Sequence, residues 1–371
     1  MIVFIVLQAL ALIGLLCGIV MFWKMPTVRM EERQDDLPRL SIIIPARNEE
    51  LRLPPLLKSL NEQQFQNFEV LVVDDGSTDE TEQVAKSFGA RVLKSELLEN
   101  MQPGKANACA YGARFATGEW ILFLDADIQL IGENSLQTIL NGFQKQGGKG
   151  IFSMQPYHYI YKMYENLSAI FNVTMITGMN VFTFWGKKFK TAGSFGPCIV
   201  CDVESYRKTG GHEVAAHTIM DDFALSDVFL KERLPVTNHL GKGILKMRMH
   251  EEGPKQLVEG WTKNLATASQ STHPFVMFCI QLWIMGSFMT VAALMWALFL
   301  QQPIFLIISV ISYSLYGLRV YRLTRKVGNF HWSIIVAYPI FISFFIAIFS
   351  YSFYCTHVLH TVTWRGRKVK I

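Results

Sequence analysis

Four long apolar stretches punctuate the chain, at residues 2–23, 275–300, 303–321 and 332–354. About 20 apolar residues cross the hydrocarbon core of a bilayer as a helix, so each stretch is long enough to span. Between the first and the second, the pattern changes character. Short β-branched runs at 40–44, 69–73, 91–93 and 120–124 read as strands, and amphipathic segments at 51–60, 79–88, 105–115 and 135–143 read as the helices between them. This alternation predicts an α/β domain built on a parallel, doubly wound sheet, with ligands bound beyond the carboxyl ends of its strands. The expected partition is an anchor at 1–24, a globular domain at 35–270, a membrane region at 274–358 and a basic tail at 359–371. The apolar segment 166–185 could pass for a fifth span. It carries Asn166, Asn172 and Asn180, which are costly in lipid, so the expectation is an interfacial helix lying in one leaflet.

Half of the 371 residues are apolar, and the formal net charge is only +5, which requires no nucleic-acid partner. The basic residues gather beside the apolar stretches. They form three groups: Lys24, Arg29 and Arg33; Arg319, Arg322, Arg325 and Lys326; Arg365, Arg367, Lys368 and Lys370. Positive charge marks the cytoplasmic side, so the chain reads as a multi-pass cell-membrane protein with a cytoplasmic domain and its N-terminus outside. The first stretch lacks the basic start and small-residue site of a cleaved signal, which makes it an uncleaved anchor. The tail poses a conflict. Three single crossings after the domain would leave it outside, whereas its charge places it inside. Re-entry of the last stretch, which contains Pro339, or a flat-lying block elsewhere would remove the conflict. The six cysteines include one Cys198-x-x-Cys201 pair with no second pair at zinc-ribbon spacing, and they read as reduced thiols.

Four motifs sit where strands end. The first strand runs into Pro45-Ala-Arg-Asn-Glu-Glu50 and the second into Asp74-Asp-Gly-Ser-Thr-Asp79. Asp79 suits a plain helix N-cap, but two adjacent carboxylates repel unless a cation or donors meet them. Gly104-Lys105 opens a helix, where free backbone N–H groups and an ammonium favour phosphate. The fourth strand ends in Asp125-Ala-Asp127. Alternate residues of an extended segment point the same way, and paired hard oxygens there suit Mg²⁺ or Mn²⁺ bridging a diphosphate.

In order and spacing this series resembles the family-2 glycosyltransferases of the GT-A, Rossmann-like fold. The resemblance implies an inverting single displacement from a nucleoside-diphosphate sugar. It implies that Ala46, Arg47, Glu49, Asp74 and Asp75 hold the nucleoside, that Asp125 lies near the ribose, that Asp127 binds the metal and that Lys105 lies near the diphosphate. Members carry an acidic pair about a hundred residues after DxD, with the second acid as the base. Asp221-Asp222 fits, although the first acid replaces the usual Glu, and Asp222 is favoured as the base. The Gln-x-x-Arg-Trp of processive members is reduced to Glu259-Gly-Trp261, which argues against polysaccharide synthesis. Ser153-Met-Gln-Pro-Tyr-His158, Gly178-Met-Asn-Val, Gly210-Gly-His212, Glu259-Gly-Trp-Thr-Lys263 and Trp364-Arg-Gly-Arg367 are similar to the bacterial 4,4'-diaponeurosporenoate glycosyltransferases. That likeness implies a UDP-glucose donor and a lipid or carotenoid acceptor in the bilayer. It points to Gln155, Gly210, Gly211, His212 and Trp261 on the acceptor or membrane side. A glycolipid-type hydroxyl acceptor and a non-catalytic membrane scaffold are the competing readings.

Overall fold

The computed structural model describes residues 1–28, 36–215, 218, 220–359, 361–364 and 367–370. Arg29, Arg33 and Arg365 of the basic clusters, and Asp35 at the expected domain start, lie outside the described residues. The chain forms two compact units: Pro26–His158 with Thr191–Arg248, and Met1–Met25 with Tyr159–Lys190 and Met249–Ile371. Residues 159–190 and 249–270, which the sequence groups with the catalytic domain, therefore cluster with the apolar helices.

The first unit is a mixed α/β sheet domain. Its strands are β1 (Leu40–Ala46), β2 (Phe68–Asp74), β3 (Arg91–Lys94), β4 (Trp120–Leu124), β6 (Ile151–Gln155), β8 (Cys198–Asp202) and β9 (Val236–Leu240), in the order β3-β2-β1-β4-β8-β6-β9. Helices α2 (Leu53–Asn61), α3 (Thr81–Ser87), α4 (Lys105–Arg114) and α5 (Ser135–Lys145) fall between the first strands as the periodicity predicts, and α7 (Val203–Lys208) and α8 (Asp221–Lys231) follow β8. Short strands β5 (Ile128–Leu130), β7 (Tyr157–His158) and β10 (Leu245–Met247) make a second sheet, β5-β10-β7. Strand β4 is buried at every residue and pairs in parallel with β1, as continuous apolar runs do in a sheet covered on both faces. The sheet is not wholly parallel. Strand β8 runs antiparallel to both β4 and β6, with Leu124 opposite Cys198 and Trp120 opposite Asp202. The segment entering β8 arrives where β4 ends, so the chain has to run back along it.

The second unit holds α1 (Ile2–Met21), α6 (Ala169–Gly178), α9 (Pro254–Gln270), α10 (Pro274–Leu300), α11 (Pro303–Val327), α12 (Ile334–Tyr354) and a hairpin of β11 (Thr361–Trp364) and β12 (Arg367–Lys370). Among the described residues four helical segments, α1, α10, α11 and Ile334–Leu359, are long and apolar enough to cross a membrane. Segment 166–185 is not one surface helix. Only Ala169–Gly178 is α-helical, and eight of its ten residues are buried. The asparagines are satisfied within the unit: Asn172 Nδ2 donates to Ser168 O at 3.0 Å, and Asn180 Nδ2 to Lys190 O at 3.1 Å. Helix α12 continues unbroken through Pro339. The Ile335 carbonyl, which Pro339 cannot serve, lies against Gly317 of α11, where any Cβ would collide with it.

Candidate active site

The loops after β1 and β2 clasp each other. The Asp75 N–H donates to Ala46 O at 2.9 Å and extends the pairing past the strand ends. Beyond it, Asn48 N–H donates to Ser77 Oγ (3.0 Å), Thr78 N–H to Asn48 Oδ1 (2.8 Å), Glu49 N–H to Thr81 Oγ1 (2.8 Å) and Glu50 N–H to Asp79 Oδ2 (3.2 Å). Asp79 is not the N-cap of α3, a place taken by Glu80; one of its carboxylate oxygens serves Thr81 N–H and the other reaches the first loop. Asp74 is buried, and its Oδ1 accepts from Ser77 N–H at 2.9 Å, shaping its own turn. Asp75 instead faces Arg47, 3.9 Å from its guanidinium.

At the end of β4, Asp125 and Asp127 flank the buried Ala126. Lys105, from the first turn of α4, places Nζ 2.5 Å from Asp125 and donates to Gly196 O at 3.1 Å. Against the opposing effect of burial, Asp125 and then Asp221 hold this ammonium's pKa above its ordinary value. Burial, reinforced by Asp125 and Glu49, pushes the Asp127 carboxyl up to about 7, with Arg52 and Lys105 opposing. Carboxylates crowded in this way favour a cation. Among the described residues no three His, Cys, Asp or Glu side chains form a metal cage. The set on offer is one or two carboxylates left open to further oxygens, which fits a hard divalent ion completed by substrate phosphates.

The acidic pair opens α8. Asp222 Oδ2 accepts from Gly196 N–H at 3.0 Å, while Asp221 Oδ2 is buried with no hydrogen-bond partner among the described residues. Burial, and next the charge of Asp221, pushes the Asp222 carboxyl up to about 7, with Lys105 opposing. The Gly196 residue thus joins two halves of the site, its N–H on Asp222 and its carbonyl on Lys105. The adjacent Pro197 carbonyl accepts from Asp125 N–H at 3.1 Å. A Cβ at position 196 would sit 2.9 Å from Asp222 Oδ2, so any larger residue would push this carboxylate aside.

Segment 191–197 is held rigid from behind. Asn238 Nδ2 donates to Thr191 Oγ1 and to Gly193 O, both at 2.9 Å, and Phe195 N–H donates to Ser153 Oγ at 3.0 Å. Ser194 and Ser226 hydroxyls both donate to the Asp222 carbonyl, at 3.1 and 2.8 Å. These residues escape the sequence reading. Their only signal is a run of small residues, Thr191-Ala-Gly-Ser-Phe-Gly-Pro197, before an apolar strand.

Of the remaining expected residues, His212 is buried against Phe123, with its Nδ1 2.9 Å from Tyr206 Oη. Burial lowers its pKa to about 4 despite Asp221, so it is neutral at pH 7. Gly210 and Gly211 form the tight turn before it, both at positive φ. Gln155 ends β6 and pairs its Nε2 with His158 Nε2 at 2.9 Å. Trp261 belongs to the other unit, where it stacks on Phe171 and donates Nε1–H to Ser168 Oγ at 3.0 Å. Cys198 and Cys201 are buried, free thiols of β8.

Comparison with known proteins accords with this geometry. Residues 41–209 match the glycosyl transferase family 2 profile. The chain is 36% identical over 368 residues to the 4,4'-diaponeurosporenoate glycosyltransferase of Staphylococcus aureus strain USA300, covering 99% of this chain and 97% of that one. The protein of the same description from the bovine strain RF122/ET3-1 gives the same identity and coverage. Among solved structures, the mannosyltransferase PcManGT from Pyrobaculum calidifontis, in complex with GDP-Man and Mn²⁺, shares the fold at a TM-score of 0.52 and 16% identity, covering 95% of this chain and 99% of that one. A mixed sheet with acidic strand ends, matched by whole-chain likeness to a named transferase, places this protein in glycosyl transferase family 2 as a glycosyltransferase.

Proposed function

We propose that the protein transfers glucose, with inversion, from UDP-glucose to a carotenoid carboxylic acid of the 4,4'-diaponeurosporenoate type dissolved in the membrane. One observation carries the reading. A chain 36% identical from end to end to a 4,4'-diaponeurosporenoate glycosyltransferase holds Lys105–Asp125 and Asp222 on the two sides of one residue, Gly196. In this reading Ala46, Arg47, Glu49, Asp74 and Asp75 form the nucleoside pocket, Asp125 meets the ribose and Lys105 meets the diphosphate. Asp127, with Asp125 beside it, would hold Mg²⁺ or Mn²⁺, whose chemistry is to neutralise charge on the departing diphosphate. The catalytic unit faces the cytoplasm, where nucleotide sugars are supplied.

The displacement forms a bond from the acceptor oxygen to the anomeric carbon and breaks the carbon–oxygen bond to UDP, which leaves with the electron pair. A carboxylic acid, with a pKa of about 4, is already ionised at neutral pH and has no proton to lose. It needs orientation and a stabilised leaving group, not a base. A hydroxyl lipid is the second reading, favoured by one feature: an Asp222 carboxyl raised to about 7 is poised as a general base.

The test uses the full-length protein in lipid nanodiscs with UDP-glucose and either the carotenoid acid or its alcohol. UDP release and the mass of the lipid product are the readouts. The expected product is a glucosyl ester, and Asp222→Asn should slow its formation by less than about 10-fold. Glucosylation of the alcohol alone, with a loss of about 10²-fold or more in Asp222→Asn, would replace the acid by a hydroxyl acceptor.

A further inference from the structure

Helix α12 is long and apolar enough to cross the membrane, yet the residues just before it, Asn329 and His331, are tied to the segment before α6, and its last turn, at Ser352, to α9. The boundary is set where α1 ends and α10 begins. There Phe184 N–H donates to Val20 O at 2.8 Å and Lys24 N–H to Phe182 O at 3.0 Å, pinning segment 182–184 to the end of α1. Trp23 lies edge-on to Phe184, and Trp185 to Phe275, while Lys24 and Lys188 are exposed. Residues 181–190 contain no acid. Such belts of aromatic rings and lysines mark a membrane–water interface.

From that level α10, 27 residues long, reaches about 40 Å, enough to cross. Helix α11 returns antiparallel to it. Ser309 Oγ donates to Ala293 O at 3.1 Å, and further along α11 the Tyr316 hydroxyl donates to Trp283 O. The α10–α11 connection, Gln301-Gln302, is uncharged, whereas α11 ends on Arg325 and Lys326. The following residues bond to the segment before α6: Ile160 N–H donates to Asn329 Oδ1 at 2.6 Å and His331 N–H to Asn166 Oδ1 at 2.8 Å.

Helix α12 then leaves α11 instead of following it across. Its first turns meet the middle of α10 and α11, with the Tyr338 and Thr290 hydroxyls hydrogen-bonded and Tyr338 stacked on Tyr316. By Phe345 it lies edge-on to Phe171 of α6, and Ser352 Oγ donates to Thr262 O of α9 at 2.6 Å. Helix α9 carries Lys255, Glu259 and Lys263, charges that the hydrocarbon core excludes, and Ser271–Thr272–His273 join it directly to the start of α10. The end of α12 is therefore back at the level from which α10 departs.

We infer that α12 is a re-entrant element embedded in one leaflet, so that three helices cross and the chain after α12 emerges on the side of Lys24. Its inner face, Tyr338, Ile342, Phe345 and Ser352, packs on protein. Its outer face presents Val336, Ile340 and Phe353, at least half exposed, to the acyl chains of that leaflet. This places the basic tail with the other basic clusters and removes the conflict between its charge and a count of four crossings.

Cysteine accessibility tests the inference in a variant lacking the native cysteines. Single cysteines are placed by Gln301→Cys between α10 and α11, Lys326→Cys at the end of α11, and Val358→Cys beyond α12. An impermeant maleimide is added to intact cells and then to permeabilised ones. Val358→Cys should follow Lys326→Cys in both conditions and oppose Gln301→Cys. Labelling of Val358→Cys together with Gln301→Cys would make α12 a span. If these variants fail to accumulate, a C-terminal green fluorescent protein on the natural chain decides. Fluorescence supports re-entry, and a dark fusion whose alkaline phosphatase counterpart is active overturns it.

Discussion

The two units solve the packing problem by different physics. In the sheet unit Ile42, Ile43, Ile44, Leu71, Val72 and Leu122 are wholly buried, and removal of apolar surface from water holds the layers together. Polar side chains buried within it, such as Ser41, Ser153 and Asn238, are each tied by hydrogen bonds that select a geometry. In the helical unit Ile5, Leu12, Leu16, Met295 and Phe299 are exposed, because their solvent is lipid. Burial there yields no comparable gain, so helices associate through close backbone approach and internal hydrogen bonds. Gly14 and Gly286 show it: a Cβ on either would lie 2.7 Å from the other's Cα. The same residue type, glycine, brings a carboxylate to a peptide at Gly196 and a helix to a helix at Gly14. A substitution therefore has to be judged by the unit in which it falls.

The sharpest break between the units comes from Asp127→Ala. It should lower kcat by about 10³-fold, since a charge-neutralising ion is worth several kcal/mol, while neither unit unfolds earlier, because a buried carboxyl raised to about 7 is no source of stability at neutral pH. EDTA should inactivate the natural enzyme reversibly and leave the variant's residual rate untouched. Full activity in EDTA would remove the metal from Asp127. Gly286→Leu should do the reverse. Overpacking the α1–α10 contact costs about 1–3 kcal/mol, read as earlier unfolding in detergent, and soluble sheet-unit signals should melt last.

Gly196→Ala sharpens the comparison inside the site. The added methyl meets Asp222 Oδ2 but leaves the nucleotide loops alone, so kcat should fall about 10-fold with UDP affinity within about 2-fold of the natural protein. Equal losses in both would make Gly196 a general structural residue. The smallest effect concerns pH. The folded Asp222 carboxyl, raised from 3.8 to about 7, favours folding in its protonated form. That contribution is complete below about pH 4 and is lost as pH rises through 7. Asp222→Asn keeps the acceptor for Gly196 N–H and removes the charge. Its Tm should match the natural protein near pH 4 and exceed it by about 2–4 °C at pH 8. A Tm difference independent of pH would contradict the raised carboxyl.

The first four strands were legible because each is a β-branched run flanked by turn residues, and β4 stands in the structure at the expected residues, Trp120–Leu124. Strand β8 was not, because the direction of Cys198-Ile-Val-Cys-Asp202 depends on where the preceding loop arrives. Asn166, Asn172 and Asn180 mark segment 166–185 as costly in lipid, and only Ala169–Gly178 of it is α-helical. Their placement in a buried helix end and its loops depended on carbonyl partners distant in the chain, such as Ser271.

Sequence alone determined the chemistry on offer: Lys105 at a helix start, Asp125 and Asp127 at a strand end, an acidic pair at 221–222, and four apolar stretches with charge at particular ends. Those features follow from local rules, namely side-chain alternation, helix periodicity and the cost of charge in hydrocarbon. Tertiary structure decided what met what. Only folding brings Gly196 between Lys105 and Asp222, because hydrogen bonds across 91 and 26 residues leave no local periodicity to read. Only folding returns α12 to α9, because hydropathy measures whether a helix can reside in lipid and not where its ends are held.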